Sequence, residues 1–504
     1  MTGTLTGSEP GTAEPSVLHL DPATGDQTSR LLARRDRLHG WVAAFGSPLN
    51  IVLPDEVADN ADRFQEVLRA RRLRGQVYFA HKANRSSAVV RRLAATSARL
   101  DVASVAELQH GLGAGFAPER IMVTGPKSPE LLWLAARLGV TVHVDSVDEL
   151  AQLGRIATRH GAVPAETRLP VLVRFGAFAS TGSVRARVSR FGVAESELDQ
   201  VLAVADRYRC RLDLCGVGYH LDTVGLPEKV SALDGCLRLQ RQLQQAGHPA
   251  AIIDVGGGFG VSYLAEAKQW EEFTTELTRA VLGQRPPLTW RGHGYGLRAD
   301  GGRIRGALSL YPAYRPVAGP GYLEELLGQR SPSLEQTFEQ LLRETMTELY
   351  LEPGRALLDQ AGLVLCRVLE TRLAADGSTM IRLDLNHGDI TLEQHGIVMD
   401  PVVVPKDSGS RSPGKGYLVG NLCLEADLIS RREVHLRSMP VPGDLLAFVN
   451  TAGYLMDFFA DQALQQRVAR KVAVASSGAR WCLDEEYWPL AVDNEPGSRH
   501  EEIR

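Results

Sequence analysis

The stretch QVYFAHKANRS, from Gln76 to Ser86, begins with an apolar run, Val77–Ala80, and places Lys82 and Asn84 just beyond it. A lysine leaving a buried strand is placed to have its pKa lowered by desolvation and to attack a carbonyl as an amine. Three other stretches carry chemistry of their own. DVGGGFG, Asp254 to Gly260, can bring backbone N–H groups onto a phosphate, because glycine has no Cβ to hold a ligand off. In YLEPGR, Glu352 is a carboxylate on an apolar strand, costly to bury unless it meets a cation or a protonated ring nitrogen. His220, in GVGYHLDT, offers a flat ring.

For these residues to meet, a scaffold must carry them to one place. Short apolar runs recur at Val77–Ala80, Leu100–Ala103, Ile121–Thr124, Val140–Val144, Val171–Phe175, Leu214–Tyr219, Ile252–Val255 and Leu349–Leu351, most of them followed by a helical pattern. Eight strands in βα alternation over about 280 residues have the count and size of a (β/α)8 barrel, whose active site lies at the C-terminal strand ends. A doubly wound open sheet is the alternative. In a barrel the strand ends deliver Lys82, then Asp101 with Ser104, then Gly125 with Lys127, then Asp145, Arg174, His220, Gly256–Gly258 and Glu352–Arg355. A reactive lysine, a phosphate cradle, a ring to stack and a buried carboxylate together describe a pocket for pyridoxal 5'-phosphate: the aldehyde on Lys82, the phosphate on the glycines, the pyridine nitrogen on Glu352.

Past Arg355 helical patterns give way to strands at Gly362–Leu373, Thr379–Leu385, Val402–Val404, Tyr417–Val419 and Leu445–Val449. The domain reading is a flexible tail over 1–25, a barrel over 46–355, a mainly β domain built from 26–45 and 356–490, and a second tail over 491–504. Between the seventh and eighth strands, about 262–335, lies a long Gly-, Pro-, Tyr- and Arg-rich stretch with no clear period, which reads as an insertion acting as a lid. The chain is 44% hydrophobic and 23% charged, with 56 basic against 60 acidic residues. That balance gives no support to nucleic-acid or polybasic membrane binding. Six widely spaced cysteines show no zinc spacing and read as reduced thiols of a cytoplasmic protein, with no metal centre expected. The first 22 residues lack the features of a signal peptide, and no apolar run reaches the roughly 18 residues that cross a bilayer.

The segments FAHKAN, DVASVAEL, RIMVTGPKSPEL, RVSRFG, GVGYHLDT, DVGGGFG, LEPGR, GNLCLEADL and TAGYLMDF, in order from Val77 to Phe458, resemble those of the fold-type III pyridoxal-phosphate decarboxylases. This is the group of diaminopimelate, ornithine and arginine decarboxylases, with a barrel of the alanine racemase type. The resemblance implies that Lys82 forms a Schiff base with the cofactor, His220 stacks on its ring and Glu352 keeps its pyridine nitrogen protonated. It implies cofactor contacts from Asp101, Arg174, Thr223, Gly256, Gly257, Gly258, Gly354, Arg355 and Tyr454. It further implies a homodimer with a shared site, in which Cys423 from one subunit returns a proton in the other. Substrate contacts fall to Arg355, Glu425, Asp427 and Tyr454.

Departures from the family pattern bear on the substrate. Leu424 follows Cys423 where an acidic residue is usual, Asp222 replaces a glycine, and His81 precedes the lysine. With Arg291, Arg298, Arg303, Arg305 and Arg315 in the long stretch, they suggest a substrate larger or more acidic than a plain diamino acid, an amino acid or a conjugate of one. The leading expectation is an amino-acid decarboxylase. The alternatives are a racemase or epimerase on the same barrel, and a non-catalytic regulatory homologue, which would have lost the lysine, the cysteine or the phosphate loop.

Overall fold

The computed structural model describes residues 17–159, 163, 166–178 and 189–489. Eight parallel strands close on themselves: β1 (Gly75–Ala80), β2 (Arg99–Val102), β3 (Ile121–Val123), β4 (Thr141–Val144), β5 (Leu169–Ala177), β6 (Leu212–Gly218), β7 (Ile252–Asp254) and β8 (Glu348–Leu351). Each pairs with the next, and β8 returns to β1 with Leu349 opposite Gly75. All eight fall on the runs expected from sequence, so the sheet is a closed barrel and not an open one.

The helices begin where the sequence supplies a cap. Ser86, Ser104, Ser128 and Ser146 each stand just after one of the first four strands, and each hydroxyl accepts from the N–H three residues on, at 3.1–3.2 Å. A serine there satisfies one of the donors that a helix start leaves free. The helices sheathe the barrel with Leu93, Leu108, Leu132, Leu153 and Leu237, all buried. The floor of the barrel is filled by a separate cluster, Tyr78, Met122, Leu172 and Tyr350, one inward side chain from each of four strands.

A second, mainly antiparallel sheet stands beside the barrel. Its order is Val434–Leu436, Gly414–Val419, Thr379–Leu383, Gly362–Leu373, Leu49–Val52, Arg470–Val474 and Trp481–Leu483, with Leu445–Val449 also paired to Gly362–Leu373. Leu49–Val52, inside the segment read as barrel, belongs to this sheet: it runs antiparallel to Gly362–Leu365 and parallel to Arg470–Ala473. Leu38, Trp41 and Val42 of the helix Arg35–Phe45 pack on its face.

Two expectations are corrected. Residues 17–25, read as part of a flexible tail, are docked: Leu18 and Leu20 are buried, and the Leu20 N–H donates to Asp400 Oδ2 at 2.7 Å. The alternating VLHL pattern supplies just enough apolar surface to hold that end. The rest of that tail, the C-terminal one and the first two residues of RVSRFG lie outside the described residues. The long β7–β8 connection is not aperiodic, for it contains the helices Ala267–Val281 and Gly319–Gly328 and a hairpin, Arg298–Asp300 with Arg303–Arg305. The first of these helices buries only Phe273 and Leu277, a stripe too narrow to read as a helical period.

Candidate active site

Side chains on a strand alternate between faces, so the residue two beyond each floor residue points into the barrel one layer higher. Above Tyr78, Met122, Leu172, Ile252 and Tyr350 stand Ala80, Thr124, Arg174, Asp254 and Glu352. Asp101 and His143 join them from β2 and β4. An apolar floor thus carries a polar ring. Thr124 donates to Asp101 at 2.5 Å, and His143 Nδ1 lies 3.7 Å from Asp254 Oδ2. Gly218 makes room for this ring, since a Cβ there would stand 2.7 Å from His143 Cε1.

Above the ring opens a cavity of about 910 Å3, lined by Lys82, His220, Thr223, Gly257, Gly258, Glu352, Gly354, Arg355 and Tyr454, among others. Lys82 sits in the short turn His81–Ala83 directly after β1, with its Nζ 3.8 Å from Asp101 Oδ2. Its side chain is 38% accessible, and that accessibility is to the cavity. The expected lowering of its pKa is not what the site produces. Burial does push the ammonium down, but Asp101, Tyr454 and Glu352 outweigh burial and hold it above its ordinary value. The free amine is therefore protonated until a reaction partner takes the proton.

The three buried carboxylates are driven apart. For Glu352 burial acts upward, yet the contact with His220 and the charge of Lys82 bring it well below the carboxylate range. Asp101 is pushed up to about 7 by burial and by Glu352, and Asp254 is raised further for the same reasons. Glu352 is the carboxylate that stays ionised, while Asp101 and Asp254 take up protons more readily. His220 Nδ1 lies 3.2 Å from Glu352 Oε2 and 3.3 Å from the Gly257 N–H. A nitrogen cannot donate to one and accept from the other, and the carboxylate fixes the proton on Nδ1. Burial lowers both His220 and His143, the latter to about 3, so the two imidazoles are neutral.

A pH prediction follows from Asp101. An aspartate in the unfolded chain ionises at about pH 3.9, whereas Asp101 keeps its proton to about pH 7. Between these values the folded state holds a proton that the unfolded state has released, so the cost of burying Asp101 grows with pH and levels off above pH 7. Thermal melts of the cofactor-free protein are expected to show Asp101→Asn gaining on wild type from pH 4 to pH 7 and no further beyond. A difference constant across that window would contradict the assignment.

The glycine turn follows β7. Gly256 has φ 61°, and a Cβ there would lie 2.6 Å from the Tyr219 carbonyl. Its N–H donates back to Asp254 Oδ1 at 2.8 Å, so Gly257 and Gly258, not Gly256, face the cavity. Arg355 donates to the Tyr263 hydroxyl at 3.2 Å and lies between the rings of Tyr311 and Tyr454, 5.1 and 5.6 Å from their centroids. Tyr454 holds a left-handed backbone, φ 68°, fixed by its N–H donating to the Ala83 carbonyl at 2.8 Å. That conformation costs a non-glycine residue about 1–2 kcal/mol, and it couples the second sheet's TAGY turn to the lysine turn.

Other expected residues go elsewhere. Arg174 does not line the cavity: its guanidinium lies 3.3 Å from Asp145 and donates to the His220 carbonyl at 3.0 Å, which fixes the backbone that carries the His220 ring. Lys127 turns inward to Glu149 and to the His143 carbonyl, tying two loops together. Cys423 is exposed and Glu425 pairs with Arg291 at 3.8 Å, neither of them on the cavity wall. Asp427 is corrected as a substrate contact: it is buried, with Oδ1 accepting from His387 N–H and Oδ2 from Leu422 N–H, and shapes the loop that carries Cys423. His143, Asp254 and Thr124 were not expected at the site, although their inward register was available from strand alternation. Ser309–Pro312 and Gln394–Gly396, which form the outer wall, carry no motif.

The donor set fits pyridoxal phosphate: a lysine in the cavity, an ionised carboxylate beside a neutral imidazole, and a wall of glycines. Residues 55–304 match the model of the pyridoxal-dependent decarboxylase family, pyridoxal binding domain. A relative from Sinorhizobium fredii, designated y4yA, is 29% identical over 88% of this chain and 91% of its own length. A diaminopimelate decarboxylase of Methanothermobacter thermautotrophicus is 26% identical over 81% of this chain and 82% of its own. Among solved structures, diaminopimelate decarboxylase from Helicobacter pylori complexed with L-lysine is similar with a TM-score of 0.64 at 19% identity, covering 89% of this chain and 95% of that one. Residues 55–304 thus resemble the pyridoxal binding domain of these decarboxylases, and pyridoxal phosphate is the cofactor that the likeness implies. Among the described residues no helix is long and apolar enough to cross a membrane.

Proposed function

We propose that this protein removes the α-carboxylate of an amino acid as CO2, with Lys82 carrying the cofactor and the site completed by a second copy of the chain. The observation that carries the reading is the meeting of Lys82 and an ionised Glu352 in one cavity, at the ends of adjacent strands β1 and β8. Bound there, pyridoxal phosphate supplies the electron sink for the pair left behind by the departing CO2. Lys82 would hold the cofactor's aldehyde carbon and yield it to the substrate amine, becoming a free base beside Asp101. Glu352 would keep the ring nitrogen protonated, and the neutral His220 would stack on the ring without competing for that charge. Gly257, Gly258, Thr223, Gly354 and Tyr454 would hold the phosphate, with Gly256 setting the turn and Arg174 bracing His220. Arg355, positioned between two tyrosine rings, is suited to a carboxylate or phosphate oxygen.

The proton that replaces CO2 needs a donor, and we assign it to Cys423 of a second copy. Cys423 is exposed and off the cavity wall, so it does not serve Lys82 of its own chain. Exposed apolar side chains occur both at the cavity and on the loop segment of Cys423. Phe458 lines the cavity, Phe459 packs beside it, and Leu424 is exposed next to Cys423. Leu464 is exposed on a segment tied to that loop by Gln466, which donates to the Asn421 carbonyl at 3.1 Å. A surface holding both a mouth and a loop is self-complementary under two-fold pairing, which would put each loop at the other's cavity. The cavity volume is at the upper end of ligand pockets, roughly 300–1,000 Å3. With Ser309–Pro312 as outer wall, this supports a substrate with a long or conjugated side arm.

The test is to incubate the cofactor-loaded protein in D2O with basic, acidic, neutral and conjugated amino acids, following CO2 and α-deuterium together. CO2 from one class, with one deuterium in the product amine, is expected. Exchange with inversion and no CO2 would overturn the reading in favour of a racemase.

A further inference from the structure

One buried cation has no place in the chemistry so far. Lys229, in the second turn of the helix Leu226–Gln245, is 0% exposed. Its ammonium donates to the Gly257 carbonyl and faces the rings of Phe259 and Tyr219, 5.2 and 5.8 Å from their centroids. Among the described residues it makes no salt bridge. A cation taken out of water without an anion is a cost to the fold, and such groups persist where a charge is supplied from elsewhere. The geometry says where that charge would be. A Cβ built on Gly258 would lie 3.1 Å from Lys229 Nζ, and Gly257 and Gly258 both line the cavity. The ammonium therefore stands directly behind a wall one peptide thick. It also holds the Gly257 carbonyl on the side away from the cavity. Burial lowers its pKa to about 8, against the pull of Glu352 and Asp254, so the amine is still largely charged at neutral pH.

We propose that Lys229 is the charge partner of the cofactor's phosphate, acting through the glycine turn from the side away from the cavity. It is a positioning residue, touching the turn and not the reacting atoms. The inference rests on the proposed placing of the phosphate at Gly257 and Gly258. Nothing in GLPEKVSALDG marks this lysine in the sequence, where it reads as one polar residue on a helix.

The test compares wild type and Lys229→Met, both freed of cofactor, for binding of pyridoxal phosphate and of pyridoxal, which lacks the phosphate. Wild type is expected to prefer the phosphate ester. Lys229→Met is expected to lose roughly 10- to 100-fold in affinity for the ester, as for a lost interaction with a charged group, and none for pyridoxal. Its cofactor-free form is expected to melt at the same temperature as wild type or higher, because an uncompensated buried charge is gone. An unchanged preference for the ester would overturn the assignment, and so would an equal loss for both ligands with a lower melting temperature, the mark of a merely structural lysine. A wild type with no preference for the ester would instead show that the phosphate does not sit on the glycine turn, and the inference would fall with that placing.

Discussion

Lys82→Ala and Cys423→Ala proteins, each impaired alone, are expected to regain about a quarter of wild-type activity when mixed and allowed to reassort, since half the dimers are then mixed and each mixed dimer has one intact site. Lys82→Ala alone is expected to lose about 10^4-fold in kcat, the upper end of what a positioned proton-transfer group contributes. Cys423→Ala is expected to lose about 10^2-fold, because water can deliver the final proton slowly. The reasoning is positional. Lys82 Nζ lies in the cavity 3.8 Å from Asp101, while Cys423 stands exposed on a loop shaped by the buried Asp427. Recovery on mixing requires that the two residues act from different chains. If both variants fold and exchange subunits yet the mixture stays inactive, the shared site is wrong and Cys423 is only a surface thiol.

Glu352→Gln is expected to lower kcat by roughly 10^2- to 10^3-fold while the cofactor still binds, the size of effect seen when one preorganised electrostatic group is removed. Glutamine keeps the shape and one hydrogen-bonding oxygen but cannot hold the negative charge that the ring of polar residues is arranged to keep. Burial opposes that charge, and His220, with the charge of Lys82, restores it. The neighbours should respond in a defined direction. Glu352 is a cause of the raised pKa of both Asp101 and Asp254, so its neutralisation should let both titrate at lower pH. A loss of less than tenfold, measured by single-turnover CO2 release, would contradict the role given to Glu352.

How far these residues were readable in advance depended on strand geometry. The eight barrel strands were legible because each is a short apolar run and most are closed by a helix start, often with a serine cap such as Ser104 or Ser146. Lys82, His220 and Glu352 were legible because they sit at strand ends, where a barrel gathers them. His143 and Asp254 were harder: in strands of four and three residues the alternation has only one or two inward positions, too few to stand out as a period. Tyr311 and His395 reach the cavity from connections, and Lys229 from behind a turn, and no periodicity encodes either arrival. The lowered pKa expected of Lys82 followed from burial alone, and it failed because Asp101, Tyr454 and Glu352 lie near its ammonium. The same blindness to partners made Asp427 look like a substrate contact, when His387 and Leu422 occupy its oxygens.

The most direct measurement is to load the protein with pyridoxal phosphate, reduce it with borohydride and map the modified peptide by mass spectrometry. Two lysines stand close to the cavity, Lys82 on its wall and the buried Lys229 behind the glycine turn, and Lys229 has the lower pKa. The account predicts a single reduced adduct on the peptide containing Lys82. An adduct on Lys229, or stable loading with no trapped lysine, would contradict it.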